Sequence, residues 1–187
     1  MNIDKKYYQV IRENLNNTIQ DTNIHVQNKQ VGKVRDAYFL DDKVLMVSTD
    51  RQSAFDRVLA RIPYKGAVLN LVSAWWFEKT KDQFPNHLIS TPDPNISLVE
   101  KCDVFQVEFV VRGYITGSTE TSLWTVYKNG AKEYCGNPIP SGLKKNQKLG
   151  EPMLTPTTKD KVHDRPVSKD EILELGLMTE EDFDKAA

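Results

Sequence analysis

The chain has 187 residues, 39% of them hydrophobic and 27% charged, with a formal net charge of −1. That length supports one sizeable core or two small lobes. The near-neutral balance gives no global field toward nucleic acid or membrane, so phosphate binding has to come from local clusters.

Two cysteines, Cys102 and Cys135, cannot make a disulfide framework and read as free thiols of a reducing, cytoplasmic setting. The first residues hold no signal-like apolar core, and no run approaches the roughly 20 apolar residues that span a bilayer. In chain order, Tyr8, Ile11, Leu15 and Ile19 predict a helix over 4–19. Residues 24–49 read as a meander of strands, with Asp41-Asp42 as a turn and Val44–Val47 as a buried strand. Residues 50–65 are polar and read as irregular. Val68, Leu71, Val72, Trp75 and Trp76 form one apolar stripe on a helix over 66–83, with the tryptophans as core anchors. Thr91–Pro94 reads as a stiff surface turn. Residues 97–111 read as two strands parting near Asp103, and residues 119–128 as a short helix ended by Gly130. Residues 135–166 lack periodicity and exceed the usual loop length of about 12–15, which marks them as functional, mobile or both. Ser168–Glu171 is a capping box. Thr179 caps a last helix too short to bury a face, so the chain reads as part of a longer protein.

The chemistry sits in separate blocks. Val110–Ser118 brings Arg112 to the end of a strand, beside Gly113, Gly117 and the Ser118 hydroxyl. A guanidinium next to permissive backbone and a hydroxyl suits a phosphate. The alternative is a strand ending in a glycine turn with a surface arginine. Gly32-Lys33-Val34-Arg35-Asp36 joins two strands, and its two cations flank a glycine that lets a ligand approach the backbone; it lacks P-loop spacing. A β-turn with solvated charges competes with that reading. Asp50–Asp56 follows a buried strand; Asp50 and Asp56 can accept from a sugar or amine, and Ser53 can donate to a phosphate. A solvated loop of local ion pairs is the alternative there. Glu108 lies an even offset from Arg112, so both fall on one strand face, and it suits ribose hydroxyls or a salt bridge with Lys101 or Arg112. Thr155–Lys159, His163 and Asp164 read as a lid with acid–base groups. No zinc spacing, metal-ligand cluster or Gly-x-Ser-x-Gly is present.

Together, Gly32–Asp36, Thr49–Asp56, Val110–Ser118 and Thr155–Asp164 resemble the phosphoribosylaminoimidazole-succinocarboxamide (SAICAR) synthetase family, in its longer, yeast-like form, from about Gly32 to Val167. The resemblance implies an α+β, two-lobed, ATP-grasp-related fold. Residues 1–109 would be an N-terminal antiparallel-sheet, nucleotide-binding lobe, and residues 110–187 the incomplete beginning of a second lobe. It implies ligation of L-aspartate to the carboxylate of carboxyaminoimidazole ribotide (CAIR), with ATP converted to ADP and phosphate, in purine biosynthesis. A non-catalytic binding fragment or half of a split enzyme is the alternative. By resemblance, Gly32, Lys33 and Arg35 lie over the ATP phosphates, with Glu108 near the nucleoside. Ser53, Asp56, Arg112 and Ser118 hold the ribotide, and Lys159 and Asp164 are catalytic. The family's Mg2+ ligands belong to C-terminal segments that this sequence does not contain. Expected partners are the small-molecule substrates, with a second copy or a complementing C-terminal half.

Overall fold

A computed structural model describes residues 5–26, 28–54, 57–159 and 164–187. The chain divides into two compact units, 1–102 and 103–187. In the first, Lys5–Asn14 is a helix (α1), followed by strands Asn28–Val31 (β1), Arg35–Phe39 (β2), Lys43–Ser48 (β3), Arg51–Ala54 (β4) and Arg57–Arg61 (β5). Helix Lys65–Thr80 (α2) and strands Leu88–Asp93 (β6) and Ile96–Glu100 (β7) complete it. The sheet is antiparallel, five-stranded, in the order β1-β2-β3-β7-β6. The meander expected over 24–49 is therefore present, and Gly32–Val34 links β1 to β2. Tyr38, Val44, Val47 and Val99 are its buried apolar side chains.

Three expectations change in this unit. Residues 50–65 are not irregular: β4 and β5 form a hairpin with a register shift at Gln52/Ser53. Its polar composition hid it, because Asp50 and Arg51 are buried through hydrogen bonding rather than apolar packing. Thr91–Asp93 belongs to β6, an edge strand whose irregular register tolerates Pro92. The tryptophans are not core anchors: Trp75 and Trp76 stay more than half exposed, and Val68, Leu71 and Val72 are exposed with them. The sheet is met instead by the small-residue face, Gly66, Ala67, Asn70 and Ser73. A Cβ on Gly66 would fall 2.2 Å from the Ser48 carbonyl oxygen. Such close approach selects the small face and turns the large one outward.

The second unit holds strands Val107–Glu108 (β8) and Val111–Ile115 (β9), helix Leu123–Lys128 (α3), and strands Glu133–Tyr134 (β10), Asn137–Pro138 (β11), Gln147–Leu154 (β12) and Thr157–Thr158 (β13). Helices Lys169–Glu174 (α4) and Glu180–Ala186 (α5) follow. The stretch read as a structureless loop supplies β11, β12 and β13; β12 pairs with β9 and β13 with β8. One core gathers Ile115, Leu123, Tyr134, Leu149 and Met153; another gathers Val107, Val167, Ile172, Met178 and Phe183. The Ser168 capping box forms as expected. The last helix, contrary to expectation, does bury a face: Phe183 is 5% exposed, with its ring 5.1 Å from that of Phe109. One aromatic suffices because α4 and the Val167 segment already wall the site.

Candidate functional site

In the first unit, the glycine hairpin is built on a buried polar frame. The Gly32 N–H donates to the Arg35 carbonyl at 2.8 Å, and a Cβ on Gly32 would lie 2.7 Å from that oxygen. Glycine is therefore needed for the close turn rather than for a positive φ. Lys33 and Arg35 are both exposed. Arg35 lies on the strand face that α2 covers, beside Met46 and Asn70 around a small cavity of about 70 Å³. Asp36 points to the other face and is fully buried. It accepts from Arg51 Nη2 at 2.6 Å and Thr22 Oγ1 at 2.6 Å, with Lys29 Nζ 3.2 Å away. Burial pushes the Asp36 carboxyl up, but the hydrogen bonds from Arg51, Thr22 and Lys29 outweigh it and hold it below its ordinary value.

Asp50 is not placed for a sugar or amine. It is 3% exposed, and its two oxygens accept from the backbone N–H groups of Ile19 and Gly66 at 2.8 and 2.9 Å. Buried backbone donors need such acceptors, so the carboxylate is consumed in folding. Ser53 is half-buried on β4, and Asp56 lies outside the described residues.

In the second unit, Arg112 is half-buried on β9, with its Nε donating to Thr155 Oγ1 at 2.9 Å. Thr155 in turn donates to the Val110 carbonyl. Thr155 is fully buried and Thr158 nearly so, so these hydroxyls are frame rather than lid. Gly113 sits inside β9 with open space around it, and of these two glycines it is Gly117 that has a positive φ, +108°. A Cβ there would come 2.3 Å from Ser122 Cβ, so glycine is required at that turn. Ser118 follows it and is exposed.

Glu108 pairs with Lys159, not with Lys101 or Arg112. The strand breaks at 109–110, which voids the even-offset argument, and β13 brings Lys159 alongside instead. Both side chains remain nearly half exposed. Hydrogen bonding to Glu108, helped by the charge of Asp164, raises the Lys159 ammonium above its ordinary value, so Lys159 is a cation here and not a base. Asp164 is exposed, and His163 lies outside the described residues. Thus Glu108 and Lys159 come together from positions far apart in sequence, while Asp164 reaches Lys159 only through its charge. Arg51 is the supporting residue that sequence patterns left without a role, and Thr155 was read as lid where it is frame; burial of polar side chains has no local signature. Among the described residues, no three His, Cys, Asp or Glu side chains form a metal cage, and no helix is long and apolar enough to cross a membrane.

This α+β fold is that of solved SAICAR synthases. A Saccharomyces cerevisiae SAICAR synthase complexed with SAICAR superposes with a TM-score of 0.71 at 32% identity, over 84% of this chain and 58% of that one. A type-2 SAICAR synthetase in complex with ADP shares the fold at 24% identity and a TM-score of 0.65, over 85% of this chain and 62% of that one. Residues 28–187 match the SAICAR synthetase family, and the chain belongs to it. It is 57% identical over 169 residues to the phosphoribosylaminoimidazole-succinocarboxamide synthase of Legionella pneumophila strain Lens, covering 90% of this chain and 54% of the relative. It is 55% identical over 184 residues to the chloroplastic enzyme of Vigna aconitifolia, covering 95% and 54%. The chain thus spans about half the length of these relatives.

Proposed function

We propose that this chain takes part in the ATP-dependent ligation of L-aspartate to the carboxylate of CAIR, giving SAICAR, ADP and phosphate, in cytoplasmic purine biosynthesis. The observation that carries the reading is the family match over 28–187, which takes in every residue assigned a role. The likeness to a structure complexed with SAICAR and to another in complex with ADP supports the two ligand classes.

A carboxylate is a poor acyl donor. Transfer of the γ-phosphoryl group of ATP to the CAIR carboxylate gives an acyl phosphate and ADP. The aspartate amine then attacks that carbonyl, the C–O bond to phosphate breaks, and the amine proton is lost. Such a reaction needs positioned substrates and neutralised phosphoryl charge more than a protein nucleophile. The Gly32–Arg35 hairpin contributes the exposed cations Lys33 and Arg35 to the nucleotide phosphates. Arg112, with its fork steadied by Thr155, holds the ribotide phosphate with Ser118. Ser53 and Asp56 complete ribotide binding. Glu108 and the Lys159–Asp164 group act near the nucleoside and the reacting carboxylate, with Lys159 as an electrostatic stabiliser in its charged form. On this reading Mg2+ would be held by ligands that the family resemblance places in C-terminal segments, where it would neutralise phosphoryl charge. The exposed apolar side chains of α1 and of α2 suit cover by a complementing C-terminal part or a second copy.

The test is titration of the chain with ADP and with CAIR, followed by turnover with ATP, Mg2+ and aspartate, alone and with a polypeptide supplying the rest of the family fold. Binding of both ligands, with SAICAR formed at least in the complemented sample, is expected. Failure of both ligands to bind removes the reading.

A further inference from the structure

Tyr134 is a buried phenol that the chemistry described above does not use. Its ring belongs to the core of the second unit with Ile115, Leu123 and Leu149, and the residue is only 7% exposed. Its hydroxyl reaches out of that core to one acceptor, the Thr121 carbonyl, to which it donates at 2.7 Å. Burial, with Cys135 nearby, pushes the phenol above its ordinary value, and the Arg112 charge pulls against them. The hydroxyl therefore keeps its proton and acts as a donor at neutral pH. The same side chain is thus near the Arg112 guanidinium and bonded to the loop that carries Ser118.

That loop joins β9 to α3. Its entry is tied at Thr116, whose hydroxyl donates to Asn146 Oδ1 at 2.7 Å and whose carbonyl accepts from the Trp124 N–H at 3.1 Å. Gly117 then turns the chain at a φ of +108°, and Ser118, Thr119, Glu120 and Thr121 all stand exposed. Toward the exit, the Ser122 N–H and hydroxyl both donate to the Thr119 carbonyl, at 3.1 and 2.8 Å, which closes a turn within the loop itself. The bond from Tyr134 fastens that turn to the core. An exposed segment has few apolar contacts to fix it, so a tie at each end narrows the conformations it visits. A binding group held in place before its ligand arrives need not be ordered on binding, and affinity gains by that difference.

We propose that Tyr134 is a positioning residue for the ribotide phosphate: by holding the Thr121 carbonyl, it fixes the 118–122 turn so that the Ser118 hydroxyl stands ready for a phosphoryl oxygen. The proposal rests on the reading of Ser118 as a phosphate contact, and it gives a role to a core side chain that itself meets no ligand.

The experiment measures calorimetric affinity for CAIR and for its ribonucleoside, which lacks the phosphate, together with hydrogen exchange at the Ser122 amide. It uses the full chain and three variants, at a temperature where each is folded. Tyr134→Phe keeps the ring in the core and removes the hydroxyl. It is expected to weaken CAIR binding about three- to tenfold, the equivalent of one neutral hydrogen bond, to leave ribonucleoside binding unchanged, and to speed exchange at Ser122. Ser118→Ala tests the direct contact and should also weaken binding of CAIR but not of the ribonucleoside. Tyr127→Phe removes another phenol packed against the same core, one that accepts from the Leu143 N–H at 3.0 Å. It should lower the melting temperature with CAIR affinity unchanged, which separates positioning from stability. If Ser118→Ala weakens CAIR binding while folded Tyr134→Phe binds CAIR like the parent, the positioning role is wrong and the site reading stands. Equal losses for CAIR and its ribonucleoside in Tyr134→Phe, or the same loss of CAIR affinity in Tyr127→Phe, would mean general loosening and would also overturn the proposal. If the parent binds CAIR no better than its ribonucleoside, or Ser118→Ala has no effect, the site reading itself falls and the proposal with it. Should Tyr134→Phe not fold, Tyr134→Met, likewise apolar and without a hydroxyl, takes its place with the same outcomes.

Discussion

Arg112→Ala is expected to weaken CAIR binding while leaving the second unit folded. Removing a charged hydrogen bond to phosphate costs about 1.5–3 kcal/mol, or roughly 10- to 150-fold in Kd. The structural cost is confined to one side-chain bond. Within the protein only the Nε bond to Thr155 Oγ1 at 2.9 Å is lost, and the melt reads that loss apart from binding. The Thr155 hydroxyl keeps its own donation to the Val110 carbonyl at 2.9 Å, so no buried donor is orphaned. Arg112 is half-buried, and the Ile115–Leu123–Met153 core behind β9 is untouched. Calorimetric titration with CAIR, paired with a thermal melt, reads the two effects separately. Arg112→Lys should fall between, because an ammonium keeps the charge but not the fork. A folded Arg112→Ala variant with unchanged CAIR affinity refutes the assignment of residue 112 to the ribotide phosphate.

Asp36 has a folded-state pKa below its ordinary 3.8, so its contribution is complete above the unfolded value and is lost as pH falls through the folded one. Acid melts of the parent should therefore fall more steeply below about pH 4 than those of Asp36→Asn; parallel profiles would contradict the pairing with Arg51. Burial pushes the Cys135 thiol up to about 11, whereas Cys102 is exposed. At pH 8 only about one Cys135 in a thousand is thiolate, so a thiol reagent should modify Cys102 first, and mass spectrometry finding both labelled at one rate would count against the packing around Cys135. Gly117→Ala places a Cβ 2.3 Å from Ser122 at a φ of +108°; it should lower the melting temperature and weaken CAIR binding together, and a neutral result would mean that the turn is not rigid. Phe183→Ala should destabilise the second unit by about 3–5 kcal/mol, measured by urea unfolding, and a loss under 1 kcal/mol would show that α5 is only loosely docked.

Much of the fold was legible because local rules govern it. The apolar run Val44–Val47 and the Asp41-Asp42 turn gave the meander, Ser168 and Glu171 gave the start of α4, and the four motifs gave the family. The Gly32 turn was also visible, since glycine announces itself in one dimension, whereas Arg112, expected where a strand ends, lies at the start of β9.

What the amino-acid order settled by itself is therefore the chemistry available: which cations, hydroxyls and glycines exist, and in what local setting. Only the tertiary structure decided which of them are free to act. Asp50 looks like a ligand group in the sequence, yet buried backbone donors claim it. Glu108 looked like a partner of Arg112 but meets Lys159 across a strand pair that spans some fifty positions. The tryptophan stripe of α2 looked like core, but close contact between Gly66 and Ser48 turned its small face inward. Periodicity tells that a helix has two faces. Which face the sheet accepts depends on how near the backbones come, and that distance is set by residues far away in the chain.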